Sequence, residues 1–563
     1  QDENVTNKKI INYDWDNNEV REKRTPNSAE RRYQKTLSKN FTLYADYKKN
    51  FNDRHDLSVM VGTSHESENY DRFTAKRINF DQQENMSLQL GSAQDQNAWS
   101  EGNQWTINSF FSRVNYTFAN KYVIEGTIRA DGSSRFDPDH RWGWFPGVNA
   151  AWRVGEEGFM KRLGWFEDLK VRASYGEMGN QSGIGLYDYI QLISLSNDYY
   201  PFGAGVKGQM ATSGNIISTS RTWETIQTTN VGFDFSTLNN RLYGSFDYFW
   251  KENKNMLIPK TYPSMLGADA PSTNSGHLSI HGWEISLGWR DQIKDFSYSV
   301  RFNISDAKNK VVDRVGSNLI QLGNNETPTG YPLNSYFGYE FDGIIQNEQE
   351  LEAYKSRFSE GGIPGDLSVG DAMYKDLDGD GKLSVLGDGK EGSGDVKYLG
   401  DKNPRYNFGF NLSMAWKGFD LSAFIQGVGR RTMFLEGESR CPMPEAWYQS
   451  AEYWYGKTWT PERTDAQYPA ITLKDKRNYN YYVSTNTKFN VAYARLKNLQ
   501  FGYTIPQTLT SKAGLQKVRV YFSGEDLFEV HNTPNGWDPE ENSGSITSYP
   551  FTRNYSFGIN VVF

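Results

Sequence analysis

Apolar and polar residues alternate with a period of two over many short stretches of this chain. In residues 555–563, Tyr555, Phe557, Ile559, Val561 and Phe563 are apolar, whereas Ser556, Gly558 and Asn560 are small or polar. The same period runs through Val114, Tyr116 and Phe118, through Val231, Phe233 and Phe235, and through Trp283, Ile285, Leu287 and Trp289. It recurs from Phe296 to Ile304 and from Tyr406 to Trp416. Neighbouring side chains on a strand point to opposite faces, so each stretch predicts a strand with one apolar and one polar face.

The connections have a rhythm of their own. Short turns at Ala119-Asn120, 238–240, 291–295 and Lys417-Gly418 alternate with long loops at 177–222, 254–277, 307–404, 430–487 and 525–550. Short turns at one end and long loops at the other mark a transmembrane β-barrel. The fold class expected is therefore all-β, an antiparallel barrel with large extracellular loops. Tyr116, Phe233, Leu287, Phe302 and Phe410 should face lipid; Asn115, Asp234, Ser286, Asn303 and Asn411 should face the lumen. "EEGFMKRL" (156–163) predicts a short helix within one short-side connection.

Composition sharpens this picture. Only 37% of the 563 residues are hydrophobic, yet 15% are aromatic, with 35 Tyr and 52 Gly. A barrel explains that mixture, because half of every strand faces a polar lumen and aromatic rings gather at the membrane boundaries. No apolar run reaches the ~18 residues of a spanning helix. A net charge of −7 and the lack of a basic patch argue against nucleic acid as a partner. Cys441, the single cysteine, has no disulfide mate within the chain.

About fifteen strands of membrane length begin near Asn40. Bacterial single-chain barrels have an even strand number and periplasmic termini. Counting back from Phe563 makes the strand near 40–49 run downward from outside. Residues 1–39 then form a polar segment of an outer loop, and 40–563 the barrel portion. A barrel of about 22 strands would need about seven more before residue 40. The wall should be open between 40–49 and 553–563, and a plug should lie upstream.

Several long blocks carry a family likeness. "EGTIRADGSSRFDPDHRWGWFPGVNAAWRVGEEGFM" (125–160), "LKVRASYGEMGNQ" (169–181) and "WETIQTTNVGFDFSTLNNRLYGSFDYFWKENKNML" (223–257) resemble the SusC/RagA-type TonB-dependent transporters. "YLGDKNPRYNFGFNLSMAWKGFDLSAFIQG" (398–427), "ARLKNLQFGYTIP" (494–506) and "VRVYFSGEDLF" (518–528) extend the match in order. The resemblance implies a 22-stranded barrel in the Gram-negative outer membrane with an N-terminal plug and a TonB box. It also implies a SusD-like lipoprotein as lid, and import of oligosaccharides, or of peptides in some members. The alternative function is a surface glycan-binding or adhesion barrel without transport. Nothing in the sequence supports catalysis.

The strongest chemical signal is "DLDGDGKLS" (376–384). Asp376, Asp378 and Asp380 at spacings of two, Gly381 for a sharp turn and a Lys382 backbone carbonyl form the first half of a calcium loop. The twelfth position is Gly387 rather than Glu. By the family resemblance Asp395, in "GDVKYLGD", matches the closing acid, with Asp388 as competitor. Calcium bound there would be structural. Two aromatic segments are candidates for stacking on sugar: "MPEAWYQSAEYWYGKTWTPE" (443–462), with Trp447 and Tyr448, and "NDYYPFGAGVKG" (197–208), with Tyr199 and Tyr200. For Tyr453, Trp454 and Trp459 the resemblance of "YWYGKTWTPE" to a recurring family segment favours a core inside the folded loop or a contact with the lid. "RADGSSRF" (129–136) reads as a turn at a strand top, and "DPEEN" (538–542) as a solvated acidic loop.

Overall fold

The computed structural model describes the chain apart from residues 1, 7–9, 14–19, 24–27, 81–86, 95, 203–205, 214–215, 260–271, 315–326, 387–393, 444–449, 473–474, 542–548 and 550. Fifteen long antiparallel strands, each paired with the next in sequence, form the wall. They are β1 (Ser28–Phe51), β2 (His55–Ile78), β3 (Gln96–Phe118), β4 (Tyr122–Ser133), β5 (Trp142–Arg153), β6 (Asp168–Asn180), β7 (Glu224–Thr237) and β8 (Leu242–Pro259). The wall continues through β9 (Ser272–Ile293), β10 (Phe296–Asp313), β11 (Arg405–Trp416), β12 (Phe419–Arg430), β13 (Tyr493–Thr504), β14 (Lys517–His531) and β15 (Asn554–Val562). A five-residue strand, Asp2–Thr6, pairs only with the outer end of β1. Among the described residues β15 pairs with β14 alone, so the sheet is open.

Register places the two faces as the alternation predicts. Phe233, Phe246, Ile285, Ile304 and Phe408 lie opposite one another in a row across β7 to β11. One residue further on, Asp234, Ser245, Ser286, Asn303 and Gly409 form the matching row on the other face. Leu287, Phe302 and Phe410 share the apolar face. A slip of one residue would exchange the two sets, so burying one face in lipid fixes the register. On the polar face the Arg172 guanidinium bridges Asp234 at 3.2 Å and Asp247 at 2.5 Å.

Aromatic rings bound the apolar band. At the short-turn end Phe118, Tyr122 and Trp152 stack in a line, with centroids 6.4 and 6.3 Å apart. At the outer end Phe110 stacks on Trp142 at 5.9 Å. Phe110 and Phe118 lie on the same strand, about 27 Å apart at ~3.4 Å per residue. At the ~40° tilt of barrel strands that is a height of about 21 Å, close to the roughly 25 Å apolar band between two girdles.

The short turns rely on left-handed residues. Ala119 and Asn120 have φ of 52° and 57°, and Leu238, Asn239 and Asn240 have φ of 58°, 59° and 60°. Such turns match the twist of the flanking strands. α1 (Gly158–Leu163) sits in the β5–β6 connection as expected. No helix among the described residues is long and apolar enough to cross a membrane.

Three expectations change. β1 starts at Ser28, twelve residues before Asn40, and β1, β2 and β3 reach 24, 24 and 23 residues. Since 9–11 tilted residues cross a bilayer, their outer halves project beyond it. The 254–277 loop shrinks because β8 runs to Pro259 and β9 begins at Ser272. The acidic run 538–542 is not a solvated loop. Asp538 and Glu540 form ion pairs with Arg495, whose side chain is only 1% exposed.

Candidate functional site

The long connections above β10–β11 and β12–β13 fold together into an outer cap. Tyr354, Tyr374 and Tyr479 meet in its first core with Tyr339, Ile345, Leu351 and Leu367. The Tyr354 and Tyr479 hydroxyls lie 2.9 Å apart, and the Tyr374 hydroxyl donates to the Tyr479 carbonyl at 2.9 Å. A second core gathers Met433, Leu435, Tyr453, Trp454, Tyr468, Tyr481 and Trp537. Buried phenol groups need partners: the Tyr453 and Tyr468 hydroxyls lie 2.6 Å apart, and the Tyr481 hydroxyl donates to the Pro469 carbonyl at 3.0 Å. Cys441 is buried in this second core as a small apolar residue.

The backbone of 335–339 lies directly against that of 483–485. Tyr339 N–H donates to the Val483 carbonyl at 3.0 Å, and Thr485 N–H to the Tyr339 carbonyl at 3.1 Å. A Cβ at Gly338 would stand 2.2 Å from the Val483 oxygen, so only glycine allows this approach. The cap also grips the connection after β14: Arg431 donates to the carbonyls of Pro539 at 2.9 Å and Glu541 at 2.8 Å.

The acidic loop sits at the edge of the first core. Asp376, Asp378 and Asp395 bring one carboxylate oxygen each to within 4.8 Å of the others. Gly379 and Gly381 both take φ of 75°, which curls the loop around the Asp376 carboxylate. That carboxylate accepts from Gly379 N–H at 2.7 Å and Gly381 N–H at 2.9 Å. Asp395 is fully buried and accepts from Leu377 N–H at 2.6 Å and Ser384 N–H at 2.7 Å. Burial pushes its carboxyl up, and the charges of Asp378 and Asp376 push the same way. Asp380 stands outside the trio; it is exposed and accepts from Lys382 N–H at 2.7 Å. Asp388 lies outside the described residues. Two carboxylates on a glycine-bent loop, with the buried Asp395 brought in beside them, are a hard oxygen donor set of the kind calcium takes.

The aromatic candidates divide. Tyr453, Trp454 and Trp459 are buried, so they build the cap rather than a binding platform. Trp447 and Tyr448 lie outside the described residues. Tyr199 and Tyr200 fall in a strand, Ile193–Phe202, that pairs with Val206–Ser213 as a hairpin; their side chains lie outside the described ones. The two most exposed aromatic side chains described are Tyr455, at 89%, and Tyr549, at 88%. In "RADGSSRF" Arg129 pairs with Asp131, and Ser133 donates to Gln181 at 2.5 Å, as befits a strand-top turn.

Below the cap the lumen face is small and polar. A niche of about 390 Å³ there is lined by Tyr243, Arg301, Asn411, Ser413, Ser422 and Asn498. The Arg301 guanidinium lies 5.8 Å from the Tyr243 ring centre and donates weakly to its hydroxyl at 3.4 Å. Such groups offer hydrogen bonds without a catalytic arrangement.

Comparison with known proteins agrees with this architecture. Residues 3–527 match the family model described as TonB dependent receptor-like, beta-barrel. TonB-dependent receptor P3 of Formosa agariphila is 32% identical over 94% of this chain and 52% of its own length. TonB-dependent receptor SusC of Bacteroides thetaiotaomicron is 26% identical over 93% of this chain and 50% of its own length. The chain thus spans about half the length of these curated relatives. Among solved structures, the RagAB peptide transporter superposes with a TM-score of 0.79 at 23% identity, covering 97% of this chain and 57% of that one. The chain belongs to the TonB-dependent receptor-like β-barrels, a family of outer-membrane receptors and not of enzymes, and it is similar to SusC among them.

Proposed function

We propose that this chain is part of the wall and outer cap of an importer that draws oligomeric nutrients across the outer membrane under TonB drive. Oligosaccharides are the favoured cargo, with peptides as the other class. The observation that carries the proposal is a cap with its own cores standing over a polar lumen face, where serine, asparagine and glycine are interspersed with paired charges such as Arg172 with Asp234 and Asp247. A large polar solute could be held above and then released along such a surface without a strong trap. A SusD-like lipoprotein would close over the cap, and strands outside this chain would complete a barrel of about 22. The test is uptake by a strain lacking the gene, given labelled oligosaccharides and peptides with and without a protonophore. Uptake restored by the gene and abolished by the protonophore supports import. Surface binding with no energy-dependent uptake would sink it.

The acidic loop is proposed as a calcium site of structural purpose. Asp376, Asp378 and Asp395 would supply carboxylates, with Asp380 and the Lys382 carbonyl as further oxygens. Calcium would neutralise charges that otherwise repel, and so tie 376–384 to the strand that follows Asp395. Wild-type and Asp376→Asn proteins titrated with calcium by calorimetry would check this; equal heats would refute it.

A further inference from the structure

The β5–β6 connection carries a helix with two apolar residues on one face that nothing described in the chain covers, where the Gln507–Thr510 helix of the β13–β14 connection exposes a single leucine, Leu509. Phe159 and Leu163 lie four apart on α1, hence on one face, and are 49% and 50% exposed. Trp165, just past the helix, is 67% exposed. Gly164, with φ of 63°, ends the helix and caps it through its N–H to the Met160 carbonyl. Lys161 and Arg162 stand beside the apolar residues.

Both ends of this segment are stitched to the lipid-facing side of the wall. Before the helix, Glu157 accepts from the Tyr122 hydroxyl at 2.6 Å and from Trp152 Nε1 at 3.2 Å. Tyr122 and Trp152 are rings of the periplasmic girdle, and Lys121 Nζ closes the cluster at 2.7 Å from the same carboxylate. After the helix, the Phe166 ring meets Phe235 edge-on at 6.3 Å. Phe235 shares the apolar face of β7 with Phe233. The helix therefore lies along the outer foot of the wall, not beneath the lumen.

We propose that α1 and Trp165 form a lipid-embedded foot, with Phe159, Leu163 and Trp165 set among the phospholipids of the periplasmic leaflet. The occupant follows from continuity: the apolar face extends the lipid-facing band past its girdle. Lys161 pairs with Glu156 at 2.5 Å, which leaves the Arg162 guanidinium as the cation placed to meet lipid phosphates, as in helices that lie in a membrane interface. Six residues are too few to hold a helix in water, and burial of this face in lipid would stabilise it.

The test places an environment-sensitive NBD probe on Leu163→Cys, and separately on Phe159→Cys, in a Cys441→Ala background. The protein is reconstituted in phosphatidylethanolamine/phosphatidylglycerol vesicles, and heat-modifiable migration selects folded barrels. Lys512→Cys, exposed in the β13–β14 turn, is the reference. Quenching by doxyl-labelled lipid at 159 and 163, with iodide quenching several-fold weaker than at 512, is the expected result. Iodide quenching equal to that at 512 would show water there, and protection from both quenchers would show a protein cover; either overturns the proposal.

Discussion

A carboxylate as deeply buried as Asp395 needs either a proton or a cation. Its folded pKa is raised, so without metal it stabilises the fold below its ordinary value of 3.8 and loses that contribution as pH rises through the folded value. In chelator the cap should therefore melt at a lower temperature at pH 7 than near pH 4. Added calcium should reverse that order, by about 2.7 kcal/mol at a hundredfold excess over Kd. Asp395→Asn should abolish the calcium response, and a Tm shift that survives the substitution would refute the assignment. Arg495 makes a second test. Its buried guanidinium is shared by Glu529, Asp538 and Glu540. Arg495→Ala would leave Asp538 without its cation, with Lys497 and Arg553 still beside Glu540 and Glu529, at a cost of about 3 kcal/mol. Protease cleavage within 531–553 should rise sharply while the wall still migrates as a folded barrel.

At the level of elements, the close approach at Gly338 makes a sharp prediction. Gly338→Ala must push 335–339 away from Val483, at a cost of about 1–3 kcal/mol. Protease accessibility of 430–487 should increase, with no change in barrel insertion; an unchanged digestion pattern would mean that the strands can shift freely. The strands themselves were legible because period-two alternation is local: Phe233 and Asp234 reveal their faces without knowledge of any partner. The cap was not legible, because Tyr354 and Tyr479, or Trp459 and Gln346, meet only across more than a hundred residues. Asp376 and Asp378 announce a site by spacing alone. Asp395 joins them through a loop whose insertion hides the interval, and only family resemblance pointed to it. The acidic run at 538 misled for the converse reason: its counterion, Arg495, sits on a distant strand.

For the whole molecule, the sorting of connections by length fixes its orientation in the membrane. In intact cells a cysteine at Tyr455, in the outer cap, should react with an impermeant maleimide. One at Asn239, in the β7–β8 turn at the opposite end, should react only after the outer membrane is breached. Equal reactivity at both positions would contradict the assigned ends. The cap also has a bearing on how the protein is made. Its cores combine the connection after β10, the connection after β12 and Trp537 from beyond β14. Closing loops this long is entropically slow, and no single one of them contains a complete core. The cap can therefore mature only after β11 to β14 have been laid into the wall. A barrel stalled before that stage would display the cap's tyrosines and tryptophans without their packing partners.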